Sequence, residues 1–251
     1  MTSKKRDLSI PWPFAPSAVA LNRDTGLLKL IAMLSMLCDH AGVVLFPQYR
    51  ILRVIGRLAF PIYAYCLAAG CIYTHDRLRY LRRLVMLALI SQPLHEALFN
   101  HRPFELTLDF FMKGWRDPSI LVSLVLGALV IWSIRERELL FTIALAILIA
   151  MIQTKLDYKF RGILLMVLFY LFIHVRWLSL PCMAAYMVWW GLQGKGYMLF
   201  DVRFSIQMFA LLALPLIYCR TNSGIRLPKW LFYAFYPAHL MLLLLLKIYV
   251  F

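Results

Sequence analysis

Acidic side chains are scarce in this chain. Twelve Asp and Glu stand against 27 Lys and Arg in 251 residues, a net charge of +15. On a soluble protein that imbalance would point to nucleic acid. Here the basic residues cluster in short connections between apolar runs, and no aromatic-interleaved basic stripe occurs. They read as positive-inside anchors and contacts to anionic headgroups, with no nucleic-acid partner expected. The motifs of soluble enzymes are also missing: no Walker loop, no GxSxG, no HExxH and no dinucleotide fingerprint. The five cysteines, Cys38, Cys66, Cys71, Cys182 and Cys219, form neither a CxxC pair nor a His/Cys ligand spacing. Structural, reduced thiols and no bound metal are expected. There is no 20–50-residue repeat and no pair of interrupted helices of the kind inverted-repeat transporters carry. The glycines of G-L-Q-G-K-G (191–196) read as turn chemistry in an outer loop. Residues 1–26 are basic, then rich in Pro and aromatics (I-P-W-P-F-A-P). They lack the short apolar core and small-residue cleavage site of a signal peptide and read as an interfacial lead-in.

What the chain has in excess is apolar length. It is 63% hydrophobic with a mean hydropathy of +0.74, a balance that no soluble domain of this size carries. The expected fold is all-α: one polytopic transmembrane helical bundle over residues 27–251, embedded in the lipid bilayer, with no separate soluble domain. Apolar segments at 27–46, 51–73, 82–99, 118–134, 138–153, 161–175, 177–192, 203–219 and 230–250 give about nine spans, several of them shorter than the usual 17–25 residues. Basic residues slightly favour the side that carries the N-terminus. The run T-H-D-R-L-R-Y-L-R-R (74–83), read as a loop with four arginines that resist translocation, fixes the orientation. The N-terminus is expected in the cytoplasm, the C-terminus outside, and the protein in the inner (cytoplasmic) membrane.

Ionisable groups inside such segments are costly and mark function. Lys29 and His40 lie in the first segment. Their spacing of eleven residues is about three helical turns, which puts both on one face about 16 Å apart. One face thus carries a cation near one surface and an acid–base group deeper in. The second segment, I-L-R-V-I-G-R-L-A-F-P-I-Y-A-Y, sets Arg53 and Arg57 on a shared face. Across a short antiparallel turn, Arg57 reaches the depth of Asp39 and His40. Asp39, His40 and Arg57 are therefore candidates for one buried polar cluster. An Asp39–Arg57 ion pair that merely pins two helices is the alternative, although it leaves His40 unexplained. Neighbours on a helix differ by 100°, so Asp39 and His40 cannot both point straight into one cleft, and Asp39 would orient His40 through a neighbour or by its charge. His95 and Glu96 fall near the outer surface beyond Pro93. Tyr236, Pro237 and His239 fall near mid-membrane, where His239 either serves the site or bonds a carbonyl freed by Pro237.

Four stretches now join: L-K-L-I-A-M-L-S-M-L-C-D-H, G-R-L-A-F-P-I-Y-A-Y, L-D-Y-K-F-R-G-I-L-L and F-Y-P-A-H-L. In this order they make residues 25–250 resemble the TraX family, integral-membrane proteins named for N-terminal acetylation of conjugative F-pilin. Lys29 and His40 also form K-x10-H, which is similar to the (R/K)-x10-H signature of type 3 integral-membrane acyltransferases. The resemblance implies an acyltransferase that uses acetyl-CoA or another acyl-CoA, with His40 as catalytic His, Lys29 as paired cation and a functional role for His239. The family tends to D-Y-G-x-x-G at 157–162. Lys159 stands here in place of the first glycine, which leaves the shape of that loop and the acceptor open. Within this expectation Lys29, Arg77, Arg79, Arg82 and Arg83 supply phosphate contacts on the cytoplasmic side. Arg57 or Tyr65 supplies an oxyanion donor. His40 deprotonates an acceptor amine or hydroxyl from outside, on a peptide such as a pilin-like N-terminus or on a glycan. A small-solute or proton-coupled transporter and a non-catalytic assembly factor for a surface appendage remain as rivals.

Overall fold

The computed structural model describes residues 19–100, 107, 110, 114–194, 196–199 and 202–250. All but one of the expected apolar segments become helices. They are α1 (Thr25–Val44), α2 (Arg50–Gly56), α3 (Ala59–Tyr73), α4 (Arg77–Phe99), α5 (Ile120–Glu136), α6 (Leu139–Ile152), α7 (Lys159–Phe172), α8 (Arg176–Leu192), α9 (Leu214–Tyr218) and α10 (Lys229–Tyr249). One two-stranded antiparallel hairpin interrupts the helical order: β1 (Tyr197–Leu199) pairs with β2 (Val202–Phe204) in the register Tyr197↔Phe204. It follows the expected glycine-rich turn. A 3-10 helix over Ile206–Ala213 leads into α9.

Among the described residues, three stretches are long and apolar enough to cross a membrane: Thr25–Val44, Arg50–Tyr73 and Trp230–Tyr249. The other apolar helices fall short of that measure for visible reasons. At about 1.5 Å per residue, the 14 residues of α6 and of α7 rise about 21 Å, less than a bilayer core of about 30 Å. The segment near 203–219 splits into strand, 3-10 turn and a five-residue helix. The arginine-rich run at 74–83 also differs from its expected form. Most of it is the first two turns of α4, because Asp76 caps the helix by accepting from the Arg79 N–H at 2.8 Å and Leu and Arg propagate helix well.

The middle of the bundle is α3. Of its 15 residues, those on every side are buried, as expected for a helix apolar all round. It packs against α1, α5, α7 and the 3-10 helix. The apolar exterior lies elsewhere: Leu140 and Met151 on α6 are 85% and 76% exposed. Large exposed apolar faces of this kind suit contact with lipid.

The second segment is broken between α2 and α3. Pro61 has no N–H for the Arg57 carbonyl one turn earlier, and its ring crowds that carbonyl. The chain tightens there into i→i+3 bonds, Arg57 N–H to Val54 O at 3.1 Å and Leu58 N–H to Ile55 O at 3.2 Å. The side chain of Arg57 is set at this break.

Residues 19–22 pack into the bundle, while Arg23 is exposed. Val19 and Leu21 are buried, Asn22 donates to the Leu216 carbonyl at 2.9 Å, and the Tyr65 hydroxyl donates to the Asn22 carbonyl. The I-P-W-P-F-A-P run lies outside the described residues. Asp24 caps α1, accepting from the Leu27 N–H at 3.2 Å, and also accepts from the Ser223 N–H at 2.7 Å. Desolvation alone would raise its pKa. The hydrogen bonds from Ser223, Leu27 and Thr221 outweigh that and leave it below the ordinary carboxylate value. Its stabilising charge is thus fully present above the unfolded pKa and lost as pH falls through the lower folded one. Asp24→Ala is expected to cost about 1 kcal/mol at pH 7. The difference from wild type should narrow below about pH 4, as read by thermal unfolding in detergent across pH.

Candidate functional site

A cavity of about 890 Å³ runs through the bundle along α1. Lys29, Met36, Asp39, His40 and Val43 of α1 all line it. The expected shared face of Lys29 and His40 is therefore the cavity wall. From Lys29 to Val43 the helix rises about 21 Å. Near Lys29 the wall continues with Cys66, Gly70, Tyr80, Arg83 and Phe232. Toward the other end it continues with Arg53, Arg57, His95, Asp117 and the loop Thr154–Lys159.

Lys29 sits over the Phe232 ring, 5.2 Å from its centroid, and among the described residues no carboxylate pairs with it. An unpaired cation over an aromatic face is disposed to take an anion. Of the expected phosphate contacts, Arg83 lines the same cavity. Arg77 is paired with Glu136 at 2.6 Å and Arg79 with Asp76 at 3.1 Å. Arg82 is exposed and outside the lining.

Asp39 turns to α2. It accepts from Arg53 at 2.9 Å and from Arg57 at 2.5 Å. Arg57 is 7% exposed, and it also donates to the Arg53 carbonyl and the Tyr158 hydroxyl, each at 3.3 Å. The expected Asp39–Arg57 contact is present. His40 is not part of it by hydrogen bond, and no described contact runs from Asp39 to His40. Both residues nonetheless line the cavity, because a wall about 100° wide takes in two helical neighbours. Gly56 makes this possible: a Cβ there would collide with the Asp39 side chain. Gly56 thus lets α2 close on α1 at the level of the ion pair.

The partner of His40 comes from α10. His40 Nδ1 lies 2.8 Å from His239 Nε2, and His239 Nδ1 lies 2.9 Å from the Phe235 carbonyl. That carbonyl is the regular i−4 group, whereas the one Pro237 leaves without a donor belongs to Tyr233. His239 is buried, 4% exposed. Phe99 meets His40 edge-on at 5.0 Å, and Phe235 stacks on His239 at 5.0 Å.

Tyr65, an expected oxyanion donor, is fully buried and holds the lead-in through Asn22. It is outside the cavity lining. Tyr63, Tyr158 and Tyr236 line it instead. Tyr158 stacks on Phe60 at 4.3 Å. Burial pushes its phenol up to about 12 against the pull of Arg57, so its O–H stays protonated and able to donate at neutral pH. Enclosure lifts the Asp157 carboxyl above its ordinary value against the Arg57 guanidinium, with Asp39 adding to the rise, although its side chain still meets solvent in the cavity. The backbone at Lys159 bears on the shape of this loop. Its φ is 52°, the left-handed region that favours glycine. The loop keeps the backbone a glycine would give it and places a cation at the cavity wall.

The ion pair and the close approach of α1 to α2 yield a direct test. Gly56→Ala should push Asp39 off the two guanidinium groups and cost about 1–3 kcal/mol, measured as a lowered unfolding temperature in detergent.

The TraX protein family matches residues 24–247. A protein of Dichelobacter nodosus named "Probable fimbrial assembly protein FimC, serogroup H1" is 24% identical over 257 aligned residues, covering 88% of this chain and 95% of that protein. An uncharacterized protein of Rickettsia prowazekii is 29% identical over 167 residues, covering 63% of this chain and 60% of that protein. No solved structure matches the chain significantly. With the match extending over nearly the whole described bundle, from the Asp24 cap to Lys247, the chain belongs to the TraX family.

Proposed function

We propose that the protein is an integral-membrane acyltransferase that moves an acetyl or short acyl group from acyl-CoA to an amine or hydroxyl acceptor. The observation that carries this reading is the placement of Lys29 and His40 on one cavity wall. A thin thioester-bearing arm can run between them while its phosphates rest on Lys29 and Arg83. The orientation that goes with it is the one the charge pattern favours: about nine membrane-embedded segments, N-terminus and Lys29 end cytoplasmic, C-terminus outside. The acceptor enters from the end lined by Arg53, Asp117, Asp157 and Lys159. His40 takes the acceptor's proton, and the freed electron pair attacks the thioester carbon. The tetrahedral oxyanion receives hydrogen bonds from the Arg57 guanidinium or the Tyr158 hydroxyl. Collapse breaks the C–S bond, and the proton held on His40 passes to the departing sulfur, releasing CoA.

The name of the Dichelobacter relative supports an acceptor within pilus or fimbrial assembly, such as the amino terminus of a pilin-like peptide. The same name favours a second reading, a non-catalytic assembly factor whose polar cluster is structural.

Acetyl-CoA binding and CoA release by the purified protein in nanodiscs separate the two. His40→Ala should bind acetyl-CoA and lose CoA release by about 10²–10⁴-fold. Lys29→Ala should bind about tenfold more weakly, the loss of one charge-assisted contact of about 1.4 kcal/mol. A folded wild type that binds no acetyl-CoA and releases no CoA would replace the enzyme with the assembly factor.

A further inference from the structure

The hydrogen bonds around His40 fix more than its position. The Phe235 carbonyl can only accept, so His239 Nδ1 must carry the proton of the 2.9 Å bond between them. A neutral His239 then has a bare Nε2, which can only accept. The 2.8 Å bond to it must therefore come from a protonated His40 Nδ1. A neutral His40 in turn has a bare Nε2. That nitrogen makes no hydrogen bond to any described residue, and His40 lines the cavity. The chain of donors thus starts at one backbone carbonyl on α10 and ends with a lone pair available to a molecule in the cavity.

We infer that His239 is the positioning residue of the site, holding His40 in the tautomer whose Nε2 is the base. This rests on the acyltransferase reading for its function, but the tautomer itself does not depend on turnover. His239 does for His40 what a carboxylate does in the Ser–His–Asp arrangement: it accepts the Nδ1 proton, sets the ring and stabilises the imidazolium once Nε2 has taken the acceptor's proton. A neutral imidazole in that role brings no fixed negative charge into the bundle, where an unpaired carboxylate would be costly. The candidate carboxylate, Asp39, is committed to Arg53 and Arg57. The aromatic walls reinforce the alignment. Phe99 abuts His40 on one side, while Phe235 and Tyr236 confine the His239 ring at 5.0 Å and 5.3 Å. Both histidines therefore have little freedom to exchange one nitrogen for the other.

Two variants and one spectrum test this. His239→Ala removes the acceptor. It should lower kcat for CoA release by about 100-fold or more while leaving KM for acetyl-CoA within about twofold, because Lys29 and Arg83 are untouched. His239→Gln keeps an amide oxygen able to accept from His40 Nδ1 and an N–H able to donate, and should recover at least tenfold over the alanine variant. Independently, ¹⁵N-histidine NMR of the wild type in nanodiscs, with His40 assigned through His40→Gln, should show His40 protonated at Nδ1 and bare at Nε2. A His40 proton found on Nε2 overturns the inference, as does a folded His239→Ala with wild-type kcat or an equal fall in binding and kcat. A wild type that releases no CoA sinks the acyltransferase reading instead, and the spectrum then decides the tautomer by itself.

Discussion

The clamp of Arg53 and Arg57 on Asp39 is the contact that the interior arrangement depends on. A charge placed among apolar helices is tolerated only with a partner. Here one carboxylate on α1 answers two guanidinium groups on the stretch leading to α3. The clamp holds α1 against the turn where Pro61 interrupts the second segment. It sets the Arg57 side chain between Asp39 and Tyr158, and so joins three parts of the chain at one end of the cavity. Gly56 is the steric half of the same device. Without room for the Asp39 side chain, α2 could not lie close enough for the bonds to form.

Much of this was legible from spacing. Eleven residues of regular helix put Lys29 and His40 on one wall, and the i, i+4 pair Arg53 and Arg57 faced Asp39 across a short turn. Local periodicity carries such information because one helix or one hairpin fixes the geometry. The partner of His40 was a different matter. His239 is 199 residues away in the chain; the F-Y-P-A-H-L stretch marked it as functional, but no period says that it meets His40. A packing event between α1 and α10 brings them together. The expected role of Tyr65 failed for a similar reason. Position on α3 says nothing about which face meets residues 19–24 and which meets the cavity, and every face of α3 is apolar and enclosed. The arginine run at 74–83 read as loop because its charge masked an ordinary capped helix start at Asp76.

The two kinds of charge arrangement in the cavity have different physical characters. Around Asp39 the charges are paired with one another and serve the scaffold. At Lys29 a cation rests on an aromatic ring, and among the described residues no carboxylate pairs with it. Next to Asp39, at the far end from Lys29, lies the histidine pair, shielded by Phe99, Phe235 and Tyr236. The acyltransferase reading assigns binding energy and proton transfer to separate places along one helix, about 16 Å apart.

A long cavity with charged groups on its wall, inside a membrane protein, also raises the matter of leakage. A water-filled path from one aqueous phase to the other would let sodium ions and protons run down the membrane potential. The wall of this one carries Lys29 and Arg83 toward one end and Arg53, Arg57, Lys155 and Lys159 toward the other, against Asp39, Asp117 and Asp157. Excess positive charge in a narrow low-dielectric space repels small cations and draws in anions. On the acyltransferase reading, the same lysines and arginines that would hold a phosphate-bearing molecule also work as an electrostatic seal against small cations.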